Sequence, residues 1–168
     1  TNSNRYAVGM LHTILGGGML SRLFGGLRAG SGLSYYVGAD HATYRDAGSL
    51  NLRAGVAPSR LPEAVRVMVD QLVDLRTNGV SKDELERAKS YSSGRLHLGM
   101  SDPRGTMLFL MRRACTDGSW EHPDLVAQRT QQVTTHDVMN VLDEAIGKLA
   151  PALSCVGPVQ DEEAVASE

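Results

Sequence analysis

Apolar residues recur at helical spacing over most of the chain and alternate over one short part of it. Ala7, Val8, Leu11, Ile14 and Leu15 make an i, i+3, i+4, i+7 stripe, which predicts a helix over 5–15 that stops at Gly16, Gly17 and Gly18. A second short helix is predicted from Met19 to about Arg28, with Leu20, Leu23, Phe24 and Leu27 as its apolar face. Gly25 and Gly26 weaken it, by about 1 kcal/mol per glycine relative to alanine. The period then changes from 3.6 to 2. Leu33, Tyr35, Val37 and Ala39 alternate onto one face of a strand over 33–44. After the turn Arg45-Asp46-Ala47-Gly48, the alternation of Leu50, Leu52, Ala54 and Val56 predicts the returning strand of a hairpin.

Helical spacing resumes behind Pro62 with Leu61, Ala64, Val65, Met68, Leu72 and Leu75, and Asn78-Gly79 closes that helix. Ser81 with Glu84 is a capping box for the next one. Its charged run over 82–89 reads as a solvated face, with Asp83 and Arg87 paired at i, i+4. Gly94, Gly99 and Ser101-Asp102-Pro103 are expected to interrupt the helix beyond that run. A helix over 103–116 carries Met107, Leu108, Met111 and Cys115, and a short helix follows Pro123. Thr134 or Thr135 caps a last helix with Val138, Val141, Leu142 and Ile146 facing inward. A final strand is predicted over 152–156.

This order predicts an α+β fold, a small mainly antiparallel sheet covered by helices mostly on one side. Only three strands are visible and the chain starts inside a helix, so a first strand is expected to be missing ahead of Thr1. The 168 residues fit one domain over 1–158, followed by a loose acidic tail over 159–168. With 42% hydrophobic and 21% charged residues the chain is neither disordered nor a coiled coil. A net charge of -2 offers no basic excess for a nucleic acid. No apolar run approaches the ~20 residues of a membrane span. Cys115 and Cys155 form neither a disulfide framework nor a C-x-x-C site, and read as two small buried hydrophobes in a reducing compartment, the cytoplasm. Met100, Met107 and Met111 read as flexible core filler in preference to a soft binding surface.

Eleven of the 18 glycines fall before residue 60, which directs the search for function to the front third. The histidines are 12, 41, 97, 122 and 136; no two lie three to five apart, and H-E-x-x-H and H-x-x-E-H are absent, so no metal is expected in this chain. G-x-S-x-G is absent too. Gly16, Gly17 and Gly18 are followed by no Gly-Lys-Ser/Thr and join two helices, which argues against a phosphate loop. A hinge, or a backbone that touches an extended ligand, remains. Arg28 lies at a helix end and Tyr35 near a strand start, across a short glycine loop that can bring them to one side of the sheet. A guanidinium and a phenol together can hold peptide carbonyls and stabilise an oxyanion. The plainer reading is a loop-bracing arginine and a half-buried tyrosine.

The run Leu15-Gly16-Gly17-Gly18-Met19-Leu20-Ser21-Arg22-Leu23-Phe24, with Arg28 and Gly32-Leu33-Ser34-Tyr35 after it, resembles the non-zinc half of pitrilysin/insulinase-type metallopeptidases, the family that includes mitochondrial processing peptidase. The likeness continues through Asp46-Ala47-Gly48, Gly79-Val80-Ser81-Lys82-Asp83-Glu84-Leu85-Glu86-Arg87-Ala88-Lys89 and Val133-Thr134-Thr135-His136-Asp137-Val138. It implies duplicated αβ halves around a peptide chamber, with zinc in the partner half. It also implies that this half lends Arg28 and Tyr35, seven positions apart, to the peptide substrate and the tetrahedral intermediate. Gly16, Gly17 and Gly18 correspond to a longer glycine loop implicated in substrate handling. The chain is then the accessory half of a zinc endopeptidase acting on peptides or unfolded polypeptides, inactive alone and assembled as a homo- or hetero-oligomer. The other reading is an inactive family member serving as an assembly subunit or a peptide-binding module.

Overall fold

A computed structural model describes residues 4–44, 47–117, 121–146 and 152–158. The first apolar stripe forms helix α1 (Arg5–Gly16), which buries Ala7, Met10, Leu11, Ile14 and Leu15. Beneath it lies an antiparallel hairpin of β1 (Ser34–Thr43) and β2 (Gly48–Val56). Val37 faces Ala54, Ala39 faces Leu52 and His41 faces Leu50, so the alternation predicted for β2 sets the register. The Tyr44 N–H donates to Ala47 O at 2.8 Å; Arg45 and Asp46 lie outside the described residues.

Helix α2 (Leu61–Asn78) ends where Gly79 takes φ +75°, a left-handed value that favours glycine, and its N–H donates to Leu75 O at 3.0 Å. Ser81 Oγ accepts from the Glu84 N–H at 3.2 Å and opens α3 (Lys82–Met100). Then come α4 (Pro103–Asp117) and α5 (Pro123–Gln131). Before α6 (Thr135–Ile146), Thr134 Oγ1 accepts from the Asp137 N–H while Asp137 Oδ2 accepts from the Thr134 N–H at 2.8 Å, a reciprocal cap. The main core joins α1 to Ala39, Leu75, Leu85, Val138 and Leu142; a second, smaller core joins Leu23, Leu27, Leu33 and Ala64. Among the described residues no helix is long and apolar enough to cross a membrane.

The α+β class holds, and several local expectations need correction. The predicted helix over 19–28 is a single α-turn at Arg22 and Leu23 leading into a π-helical stretch, Phe24–Gly30. Its buried side chains are Leu23 and Leu27, whereas Met19 and Leu20 point to solvent. The glycines at 25, 26 and 30 make the wider turn cheap: a Cβ on Gly30 would stand 2.8 Å from Gly25 O. Helix α3 runs unbroken through Gly94 and Gly99, since a helical glycine weakens a helix without the steric block of proline. Residues 152–158 are exposed and form no strand, so the described sheet has two strands, not three. A short apolar run becomes a strand only against a neighbouring one. Cys115 and Cys155 are exposed, not buried. Met107 and Met111 are 57% and 53% exposed, so they fill no core among the described residues. The charged run is not wholly solvated either: Lys89 is buried, and the Glu84 carboxylate is taken up by Arg22. The tail over 159–168 lies outside the described residues.

Candidate functional site

Two local irregularities place the arginine and the tyrosine singled out by the sequence. The π-helical stretch carries Arg28 on its last turn. It packs closely on α2, where a Cβ on Gly26 would stand 3.2 Å from Val67 Cγ1. Gly32, at φ +60°, then turns the chain into β1, and the Leu33 N–H donates to Leu27 O at 2.8 Å. Here the ladder slips. Ser34 pairs with Val56 but Tyr36 with Gly55, so Tyr35 is the extra residue of a β-bulge. Ser34 Oγ stitches the bulge, within hydrogen-bond reach of Tyr36 O and, at 3.0 Å, of Gly55 O.

The bulge overturns the expected facing of Tyr35. Leu33 is buried and Val37 and Ala39 pack inward, but Tyr35 leaves their row and stands 89% exposed. The intended pairing survives nonetheless. The Arg28 guanidinium carbon lies 5.7 Å from the Tyr35 ring centroid and 5.2 Å from that of Phe24, so the cation sits against two aromatic faces. Phe24 connects the pair to a cavity of about 640 Å³ whose wall includes Gly16, Gly17, Gly18, Leu20 and Tyr91. Phe24 thus touches both groups of sequence-predicted residues, the glycines through the cavity wall and Arg28 through its ring.

The three glycines do different things. A Cβ on Gly16 would stand 2.3 Å from Ala39 N, so its bareness lets α1 touch β1. A Cβ on Gly17 would meet Thr13 Cα at 2.6 Å. Gly18 alone faces a movable group, the Tyr91 ring, at 3.1 Å from a built Cβ. The sequence pattern gave neither Tyr91 nor Phe24 a site role. Tyr91 belongs to the helical face of α3 that points at the glycines, a face visible only once α1 and α3 are docked. Behind the cavity, Arg22 fixes the segment. Its Nε donates to Glu84 at 2.7 Å, its Nη1 to Asp74 at 2.6 Å and its Nη2 to Gly79 O at 2.9 Å. The hydrogen bond it donates to Glu84 above all, with the charges of Glu84 and Asp74, raises its pKa against the opposing effect of burial.

Among the described residues no three His, Cys, Asp or Glu side chains stand together to hold an ion. The fold does bring His12 and His41 from distant positions to ring centroids 4.8 Å apart. His12 Nε2 is engaged with Ala39 O at 2.9 Å. Burial foremost, then the neighbouring His12 and Arg112, lower the His41 pKa below its usual value, with Asp40 opposing.

Residues 1–91 match the peptidase M16 inactive domain. The chain belongs to this peptidase M16 family. An uncharacterized zinc protease of Streptomyces coelicolor is 33% identical over 164 residues, which is 98% of this chain and 36% of that protein. One of Mycobacterium bovis is 33% identical over 135 residues, 80% of this chain and 31% of that protein. The M16 chain thus spans about a third of the length of the curated relatives it matches. The peptidase M16 inactive domain from Pseudomonas fluorescens superposes with a TM-score of 0.75 over 86% of this chain and 35% of its own, at 18% identity, a likeness of fold. The resemblance drawn from the Ser21-Arg22-Leu23-Phe24 region to the non-zinc half of a metallopeptidase therefore holds.

Proposed function

We propose that this M16 domain is the accessory half of a zinc endopeptidase, and that Arg28 and Tyr35 are its donors to the peptide. The observation that carries the reading is the Arg28 guanidinium resting on the ring of an 89% exposed Tyr35. A phenol so exposed has no packing role of its own, and the cation on its face orients it. Zinc and its ligands belong to another half: this sequence has no H-x-x-E-H, and the longer relatives are named zinc proteases. Tyr35 Oη donates to the scissile oxygen as it becomes negative, an interaction stronger in the tetrahedral state than in the ground state. Arg28 holds a neighbouring backbone carbonyl, and the bare edge of Gly18 beside Tyr91 takes the extended peptide. The two free, exposed cysteines favour a reducing compartment, the cytoplasm.

The test uses the protein carrying both halves. Losing one oxyanion donor typically costs about 100- to 1,000-fold in kcat, so Tyr35→Phe is expected to lower kcat on that scale with little change in KM. Arg28→Ala raises KM as well. Tyr36→Phe is the control: Tyr36 stays in the ladder opposite Gly55 with Arg53 over its ring, and its loss should be nearly silent. Equal turnover of Tyr35→Phe and the unaltered protein would leave an inactive assembly or peptide-binding role as the better account.

A further inference from the structure

The wall of the cavity beside the three glycines is mostly apolar, with Ile14, Leu20, Phe24 and Val37 among its residues. Most of its polar side chains are engaged within the chain. Thr13 Oγ1 donates to Gly9 O at 2.8 Å, and Ser21 Oγ donates to Gly18 O at 2.6 Å. Glu84 accepts from Arg22 through both carboxylate oxygens, at 2.7 and 2.9 Å. Two groups of the wall are left over. Arg87 is exposed, and among the described residues its guanidinium makes no hydrogen bond, ion pair or ring contact. The pair with Asp83 expected from their i, i+4 spacing is not formed, and Asp83 does not belong to the wall. Tyr91 Oη accepts from Arg95 Nη1 at 3.4 Å, which leaves the phenol hydrogen to donate. Arg87, Tyr91 and Arg95 follow one another at intervals of four residues, so they share one face of α3.

We propose that Arg87 and Tyr91 form a specificity subsite that takes a carboxylate of the peptide passing Gly18. The inference rests on the reading of this surface as a peptide site. The groups left over in the wall are donors, and one of them is a full positive charge. A guanidinium holds a carboxylate through two parallel N–H donors, and the Tyr91 hydroxyl adds a third. A neutral amide offers one oxygen and no charge, and an ammonium is repelled by Arg87 and Arg95, so the subsite discriminates by charge. Glu84, the other charged residue of the wall, does not compete, because Arg22 already occupies both of its oxygens. Met19 and Leu20, 79% and 82% exposed in the same wall, are apolar surface for the neighbouring peptide residues to cover. The carboxylate comes from an Asp or Glu side chain or from the C-terminus of the peptide.

The test is binding to the protein carrying both halves, with a chelator present so that no peptide is cleaved. Fluorescent peptides of alanine, leucine and glutamine, capped at both ends, carry one glutamate at successive positions. A further neutral peptide ends in a free carboxylate. Fluorescence anisotropy should give a Kd about 5- to 20-fold lower for a glutamate at a favoured position, or for the free C-terminus, than for the neutral capped peptide. Which of the two gains identifies the source of the carboxylate. Arg87→Gln should abolish the preference, Arg87→Lys keep part of it and Tyr91→Phe weaken it, while equal melting temperatures show that the variants are folded. Added salt should shrink the preference. Equal binding of all the peptides, or measurable binding of none, overturns the proposal, as does a preference that Arg87→Gln leaves intact. A preference that holds while Tyr35→Phe leaves turnover unchanged would sink the Arg28/Tyr35 reading alone. Equal binding with turnover lowered by Tyr35→Phe would sink the subsite alone.

Discussion

Substituting Gly16 by alanine separates two explanations of the glycine segment, a packing need and a ligand contact. A Cβ at residue 16 would stand 2.3 Å from Ala39 N, 2.7 Å from Ala39 Cβ and 2.7 Å from Gly38 C, all part of strand β1 and none of them the end of a flexible side chain. Helix and strand must therefore separate by several tenths of an ångström along their shared core. Overpacking of this kind costs about 1–3 kcal/mol, and a backbone obstacle puts it at the upper end. Alanine's helix preference returns about 1 kcal/mol at the close of α1, leaving a net loss of about 2 kcal/mol. Gly9 on the same helix has nothing within 4 Å of a built Cβ, so Gly9→Ala should instead stabilise, by roughly 0.5–1 kcal/mol. Thermal unfolding of a domain this size moves by about 2–4 °C per kcal/mol. The Gly16→Ala midpoint should fall by about 4–8 °C and the Gly9→Ala midpoint rise by about 1–4 °C. Urea titration should show the same order with unchanged slopes. A Gly16→Ala protein as stable as the unaltered one would refute the close approach of α1 to β1, and weakened peptide binding in that stable variant would return Gly16 to a ligand role.

Glu121 gathers Arg5, Arg113, Arg129 and the Tyr6 hydroxyl, the last at 2.7 Å, and ties α1 to α4 and α5. Burial pushes its pKa up, but the Tyr6 hydrogen bond and then Arg5, Arg129 and Arg113 hold it below the usual 4.5. Because the folded value is depressed, its contribution is fully present above pH 4.5 and is lost as pH falls below that. Glu121→Gln should cost about 2 kcal/mol at pH 7 and progressively less towards pH 3, read by urea unfolding; a gap constant across that range would count against the network. Arg22→Met leaves Glu84, Asp74 and Gly79 O without their donor and should cost about 2–3 kcal/mol, part of it recovered by Glu84→Gln in the same chain. A melting temperature unmoved by Arg22→Met would mean that the ion pairs contribute nothing to stability.

The sequence by itself determined what is local: the stripe of α1, the caps at Ser81, Thr134 and Gly79, and the alternation of β2 that sets the hairpin register. Each of these is a relation between residues a few positions apart, so a periodic or capping pattern reports it directly. That Arg28 and Tyr35 could meet was legible for a related reason, since only six residues, 29–34, separate them and two of these are glycines that let the chain double back. Only the tertiary structure decided that Tyr35 is the bulged residue. A bulge is a mismatch between two strands, and neither strand carries it in its own pattern. The same holds for Gly16, which meets a strand more than twenty residues on, and for His12 and His41, whose separation in the chain hid their contact. Met107 and Met111 make the point from the opposite side. Helical spacing says which residues share a face, but whether that face is covered depends on what packs against it, and among the described residues Met107 and Met111 stay 57% and 53% exposed.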